Sequence, residues 1–171
     1  YLDDFMNTLN LQLSRIEESN LKINALANRP VVKFEDRMLF VQLWADYYFF
    51  LNTMESTYRI AKRLYKRLGE TGKAQEIKYS KRFNDIRSIR NGIEHLYEDI
   101  TKKNGEEFYS QHRSMSDRNE ITIKGISFAA NEESMYPLYN IYDDISRIIE
   151  EKYIIPNRDI VDRIWPKPTH L

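Results

Sequence analysis

Apolar residues recur every three or four positions along most of the chain, the spacing that lines up one face of an α-helix. Between Leu2 and Ala27 they stand at 2, 5, 6, 9, 13, 16, 23 and 26, with Asn20 interrupting the stripe, and Arg29-Pro30 ends this first predicted helix. A second predicted helix, Glu35 to Leu68, carries Phe40, Trp44, Tyr47, Leu51, Met54, Tyr58, Ala61, Tyr65 and Leu68 in alternating steps of four and three. That is an unbroken heptad seam, on a helix roughly 50 Å long at 1.5 Å per residue. A second stripe through Leu43, Tyr47, Phe50, Met54, Ala61 and Leu64 widens the apolar face, as suits a bundle core, with room for a dimer contact on part of it. Gly69-Glu70-Thr71-Gly72 supplies turn chemistry after it. A third helix is predicted from Ala74 to Lys103, with Ile86, Ile89, Ile93, Leu96 and Ile100 as its stripe and Asn104-Gly105 as its stop.

From Glu107 to Ala129 the period changes. Phe108 and Tyr109 precede a polar turn at Ser116-Asp117-Arg118-Asn119, after which Ile121 and Ile123 alternate with Thr122 and Lys124, predicting an inserted β-hairpin. Alternation resumes out of phase at Ile126 and Phe128, so Gly125 is expected to mark a bulge or bend. Helical spacing returns with Ser134 as N-cap, Pro137 in the first turn, and Leu138, Ile141, Tyr142, Ile145, Ile148 and Ile149 as the buried face, up to Pro156. A short last helix, Asn157 to Ile164, is expected to dock Ile160, Val161 and Trp165 ahead of an extended Pro166-Lys167-Pro168 tail. The expected fold is mainly α: an antiparallel up-and-down bundle of four to five helices. It forms a single domain over 1–171, with 107–129 as a hairpin insertion and 157–171 as a short helix and tail.

Composition narrows the chemistry. Among 171 residues there is no cysteine, which removes disulfides and thiolate metal sites and favours an intracellular, cytoplasmic setting. The three histidines, His95, His112 and His170, have no helical spacing to one another, so neither a histidine metal site nor a cofactor is expected. The most apolar stretch, Met38 to Leu51, is broken by Gln42 and Asp46 and is short of the ~20 residues a bilayer needs. The chain opens at Tyr1, which leaves a preceding segment open.

Charge is balanced overall, 26 basic against 26 acidic residues, but not locally. From Arg59 to Arg90 there are 11 Lys or Arg against 3 acids, an excess of 8 that the remainder of the chain offsets. Such a segment is either a solvated face or an electrostatic footprint for a phosphate backbone, with Arg63, Lys66, Arg67, Lys78, Lys81, Arg82 and Arg87 as candidate contacts to it.

The basic segment runs into Arg90-Asn91-Gly92-Ile93-Glu94-His95-Leu96-Tyr97. At about 100° per residue, Arg90, Glu94 and Tyr97 share one helical stripe and the i,i+4 pair Asn91 and His95 the next. Glu94 is placed to support Arg90 as an i,i+4 ion partner. Gly92 is a weak point in a helix, or a place where another element comes close. Asp46, a lone acid in an apolar stretch, is placed either to pair with Arg90 or to lie at a groove edge.

Arg90, Asn91 and His95 in a late helix resemble the HEPN superfamily, whose motif is Arg, four to six residues, then His, commonly with Asn after the Arg. Tyr97 extends the match to the Arg-x4-His-x-Tyr form of HEPN toxins paired with minimal nucleotidyltransferase antitoxins. The resemblance spans residues 1 to 103 and 134 to 153. It implies a metal-independent endoribonuclease, a toxin or antiviral-defence effector, in which two motifs of a homodimer face each other across a basic cleft. Arg90, Asn91 and His95 are then the catalytic set, and Tyr97 the acceptor of a silencing nucleotidyl group. The implied partners are RNA, a second copy of the chain, and a nucleotidyltransferase-type antitoxin or a larger protein; no membrane is implied. Taken singly, a helical histidine, an i,i+4 ion pair and one of 12 tyrosines each have ordinary structural roles. The rival reading is therefore a non-catalytic helical adaptor that holds a partner by its aromatic seam and hairpin.

Overall fold

The heptad seam forms α2 (Phe34–Arg67), the longest element among the described residues, and the helices at 2–26, 71–79, 81–94 and 132–149 pack against it. The structure is a computed structural model and describes residues 2–26, 34–94, 113–116, 119–123 and 125–164. Along α2, Tyr47, Leu51, Met54, Tyr58, Ala61 and Tyr65 are buried, as are Leu43 and Phe50 of the second stripe. Phe40 lies exposed at the N-terminal end of the seam. α1 (Leu2–Leu26) packs along α2 through Met6, Leu9, Leu13 and Ile16, and its polar interruption, Asn20, is buried and donates to the Asn119 side chain at 2.5 Å. The predicted turn after α2 is a Schellman cap. Gly69 takes φ +82°, Glu70 N–H donates to Tyr65 O at 2.8 Å and Gly69 N–H to Lys66 O at 3.2 Å.

The single third helix expected from Ala74 is instead two: α3 (Thr71–Tyr79) and α4 (Lys81–Glu94). Ser80 interrupts them with extended backbone, ψ 124°, and its hydroxyl accepts from Phe83 N–H at 3.4 Å as the N-cap of α4. Apolar spacing passes through such a break almost unchanged, so periodicity does not detect it. The stretch from 95 to the predicted stop at Asn104-Gly105 lies outside the described residues.

The expected two-stranded hairpin is a three-stranded antiparallel meander of β1 (Arg113–Ser116), β2 (Glu120–Ile123) and β3 (Ile126–Ala129). Gly125, at φ +76°, belongs to a chain reversal rather than a bulge, with Ile123 opposite Ile126 and buried Ile121 opposite buried Phe128. The phase change in the sequence is this reversal. Phe128 meets Phe50 of α2 at 6.2 Å between ring centroids, and β2 and β3 both contact α4.

α5 (Glu132–Ile149) begins earlier than expected, because Asn131 is its N-cap and accepts from Ser134 N–H at 2.9 Å. Pro137 therefore falls in the second turn. Met135, Leu138, Ile145 and Ile148 face the core. Pro156 does not end the helical path: a π turn (Glu150–Ile154) and a 3-10 turn (Ile155–Asn157) lead into α6 (Arg158–Ile164). Backbone angles stay helical at 149, 150, 154, 155 and 158. The expected docking of this helix is overturned, since Ile160 and Ile164 are exposed and Val161 is only half-buried; Trp165 lies outside the described residues. The architecture is a mainly helical bundle with a small antiparallel sheet. Among the described residues no helix is long and apolar enough to cross a membrane.

Candidate functional site

Arg90 stands on α4 one turn after Ile86, at the edge of the buried seam, and its side chain is only 17% exposed. A guanidinium that has lost most of its water needs anionic partners. It has two. Its Nη1 donates to Glu94 Oε1 at 2.7 Å, the predicted i,i+4 pair. Its Nε lies 2.8 Å from Oε2 of Glu55 on α2, an ion pair whose N–H is not aligned into a hydrogen bond. Glu55 is 4% exposed, and its other oxygen accepts from Arg59 Nε at 2.9 Å and Nη2 at 2.5 Å. One buried carboxylate therefore holds two guanidiniums from two helices. Tyr48 closes the chain of contacts by donating to Glu94 Oε1 at 3.0 Å, and this bond is the leading cause that raises the Tyr48 phenol above its ordinary value.

These groups surround a pocket of about 220 Å³ lined by Asn52, Glu55, Ser56, Arg59 and Arg90. Among the described residues, Arg90, the half-exposed Arg59, Asn52 and Ser56 are the donor-bearing side chains of this lining. Beyond Arg59 a second groove of about 510 Å³ runs between α2, α3 and α4, lined by Arg59, Lys62, Arg63, Lys78, Tyr79, Phe83, Asn84 and Arg87. It contains five cations and no acid. Tyr79, strongly exposed, lies under the Lys78 ammonium at 4.9 Å.

Of the basic residues singled out from the sequence, Arg63, Lys78 and Arg87 thus share one groove, joined by Arg59 and Lys62, which were not singled out. Lys66 and Arg67 are exposed in the last turn of α2, and Lys81 is exposed where α4 begins. Arg82 is turned away from this groove: its Nη2 donates to Ser134 O at 3.0 Å and its guanidinium lies 5.6 Å from the Phe128 ring centroid. Asn91 is half-buried one residue from Arg90. His95 and Tyr97 lie outside the described residues.

Asp46 is buried but meets Arg15 of α1, with Oδ1 2.9 Å from Nη2, and not Arg90. Glu55 takes the place considered for it. The signal was available: Glu55 follows Leu51 by four and precedes Tyr58 by three, so it borders the apolar seam, where a buried carboxylate needs partners. Gly92 marks a close approach, since a Cβ there would stand 2.5 Å from Ile123 Cγ2 of β2. The sheet is thereby seated against α4 beside Arg90. Among the described residues no three His, Asp or Glu side chains converge as a metal site. Compared with models of protein families, with curated proteins and with solved structures, the chain matches none.

Proposed function

We propose that the chain is a metal-independent endoribonuclease of HEPN type that acts as a homodimer, with Arg90, Asn91 and His95 as its catalytic residues. The observation that carries the reading is the frame around Arg90: a guanidinium fixed by Glu55 and Glu94 at the end of an acid-free basic groove. A fixed guanidinium is a preorganised donor for the charge that develops on a phosphorane. Cleavage through the 2′-hydroxyl takes a proton from that oxygen and returns one to the departing 5′-oxygen, leaving a cyclic phosphate and a free 5′-hydroxyl. An imidazole, whose unperturbed value is near 6.5, suits either proton transfer, and His95 is proposed to supply it. Two copies of the motif supply both. The groove supplies a track for single-stranded RNA, with cations for the backbone and Tyr79 as a surface on which a base stacks. Tyr97 is the proposed site of silencing by a nucleotidyltransferase-type antitoxin, in keeping with a toxin or defence effector.

The test is cleavage of single-stranded RNA and tRNA in EDTA by the wild-type chain, His95→Ala and Arg90→Lys. Arg90→Lys keeps a cation opposite buried Glu55, so a loss of activity in that variant reports on the guanidinium fork and not on folding. Cleavage that is lost in both variants while the melting profile stays two-state supports the nuclease. Cleavage unchanged in both, or absent from the wild type, favours the helical adaptor. One observation speaks for that second reading: Tyr153, Ile155, Ile160 and Ile164 present apolar surface on the π turn, the 3-10 turn and α6.

A further inference from the structure

A pocket of about 600 Å³ lies away from Arg90, between α2, α3, the start of α4 and α5. It shares no lining residue with the Arg90 pocket or the basic groove. Its volume falls among those of small-molecule sites, roughly 300–1,000 Å³. The walls are largely apolar or aromatic, with Tyr58, Tyr65, Ile77, Pro137 and Ile141 prominent, and its two ends differ.

At one end Asp144 is fully engaged. It accepts from Tyr65 Oη at 2.8 Å, Lys73 Nζ at 2.5 Å and Arg147 Nη2 at 2.8 Å; Arg147 also meets Glu151, and Glu76 is a second carboxylate of the lining, so both cations at this end have carboxylate partners. The other end is not. Arg82 has a backbone carbonyl and the face of Phe128 for partners, and no carboxylate among the described residues pairs with it. Its Nε is buried without an acceptor. Beside it lies the hydroxyl of Tyr58, itself 2% exposed; burial raises this phenol, against the charge of Arg82 and its hydrogen-bonding contact. With a phenol, a backbone carbonyl and a ring face as its neighbours, this guanidinium carries a positive charge that no carboxylate among the described residues offsets, and a bound anion would offset it. Cations paired with carboxylates at the far end and a guanidinium without one at the near end set a polarity for the occupant: an anionic head on an apolar body.

We propose that this pocket binds a small amphipathic organic anion, with its acidic head at Arg82 and its apolar body along Tyr58, Ile77 and Ile141. A carboxylate, a sulfonate or a phosphomonoester meets the requirement equally. The site is independent of the nuclease reading.

The test uses the full chain and two fluorescent probes of matched shape, 8-anilinonaphthalene-1-sulfonate and its uncharged counterpart N-phenyl-1-naphthylamine. The sulfonate is expected to bind at one saturable site at least tenfold more tightly than the neutral probe. Arg82→Gln should remove that preference while leaving the neutral probe's affinity unchanged, and Ile141→Trp, which fills the pocket, should abolish both signals. Equal affinity for the two probes overturns the proposal, as does a sulfonate signal that survives Ile141→Trp, which would place the dye on the exposed residues of α6. If Arg82→Gln fails to give a cooperative melt, the probe ratio in the wild type and the Ile141→Trp result decide.

Discussion

Glu55 and Arg90, on different helices, meet at 2.8 Å between Oε2 and Nε, both sheltered from solvent. This contact ties the middle of α2 to the last turns of α4. It also sets the direction of the guanidinium at the end of the basic groove. A buried carboxylate between two guanidiniums does not make a protein stable by itself, because both charges gave up their hydration. What it does is make one arrangement of the two helices much better than its neighbours.

Glu55→Gln should therefore destabilise the fold by roughly 3 kcal/mol, the low end for a broken buried pair, since Arg90 keeps Glu94. Arg59→Gln, whose side chain is half exposed, should cost roughly 0.5 kcal/mol. Urea unfolding of the two variants separates them, and equal losses would mean that Arg90 is not the main beneficiary of Glu55.

Gly92→Ala places a methyl group against Ile123 Cγ2. Overpacking of about 1–3 kcal/mol is set against a helix gain of roughly 1 kcal/mol, so the net effect should be a loss. Ile123→Ala removes the obstructing atom, and the double variant should be more stable than the sum of the single losses predicts. Additive losses in denaturant midpoints would show that the sheet and α4 do not meet as described.

Two aspartates should move acid stability in opposite senses. Burial works against the Asp144 charge, but hydrogen bonds from Lys73, Tyr65 and Arg147 prevail and hold its carboxyl at about 2. Its contribution is present above the ordinary carboxylate value and is lost as pH falls through about 4 to 2, so Asp144→Asn should lower stability at neutral pH and flatten the acid limb. Burial raises the Asp46 carboxyl, against the pull of Arg15. Its contribution is present below the unfolded value and lost as pH rises through the folded one, so Asp46→Asn should raise stability at neutral pH. Urea midpoints across acid to neutral pH check both signs.

Binding of single-stranded RNA should lose roughly 0.7 from the slope of log affinity against log salt for each groove cation removed, in Arg63→Ala, Lys78→Ala and Arg87→Ala. Lys66→Ala, outside the groove, should change it less. Tyr79→Ala should weaken binding by about 1–3 kcal/mol with the salt slope unchanged. Filter binding at several salt concentrations distinguishes the two effects.

Helical content, the long α2 and its buried stripe, the cap at Gly69 and a β segment near 120–129 are all legible in the sequence, because each depends on residues within a turn or two of one another. The grouping of Arg90 with Glu94 is legible for the same reason. Less visible are the break at Ser80, which leaves the apolar period intact, and the third strand, whose phase shift reads equally as a bulge. The amphipathic 157–164 segment carries a helical pattern whether or not anything covers it, and here its Ile160 and Ile164 are bare.

By itself, then, the sequence determined the local elements, the cationic stretch from Arg59 to Arg90 and the spacing of Arg90, Asn91 and Glu94. Only the tertiary structure decided which acid meets Arg90, that Asp46 serves Arg15, which cations share a groove, and that Arg82 faces another pocket. Periodicity records which side of an element is apolar. The angular and axial placement of one helix against another is set by how all the side chains between them pack, and pairings across helices depend on that placement.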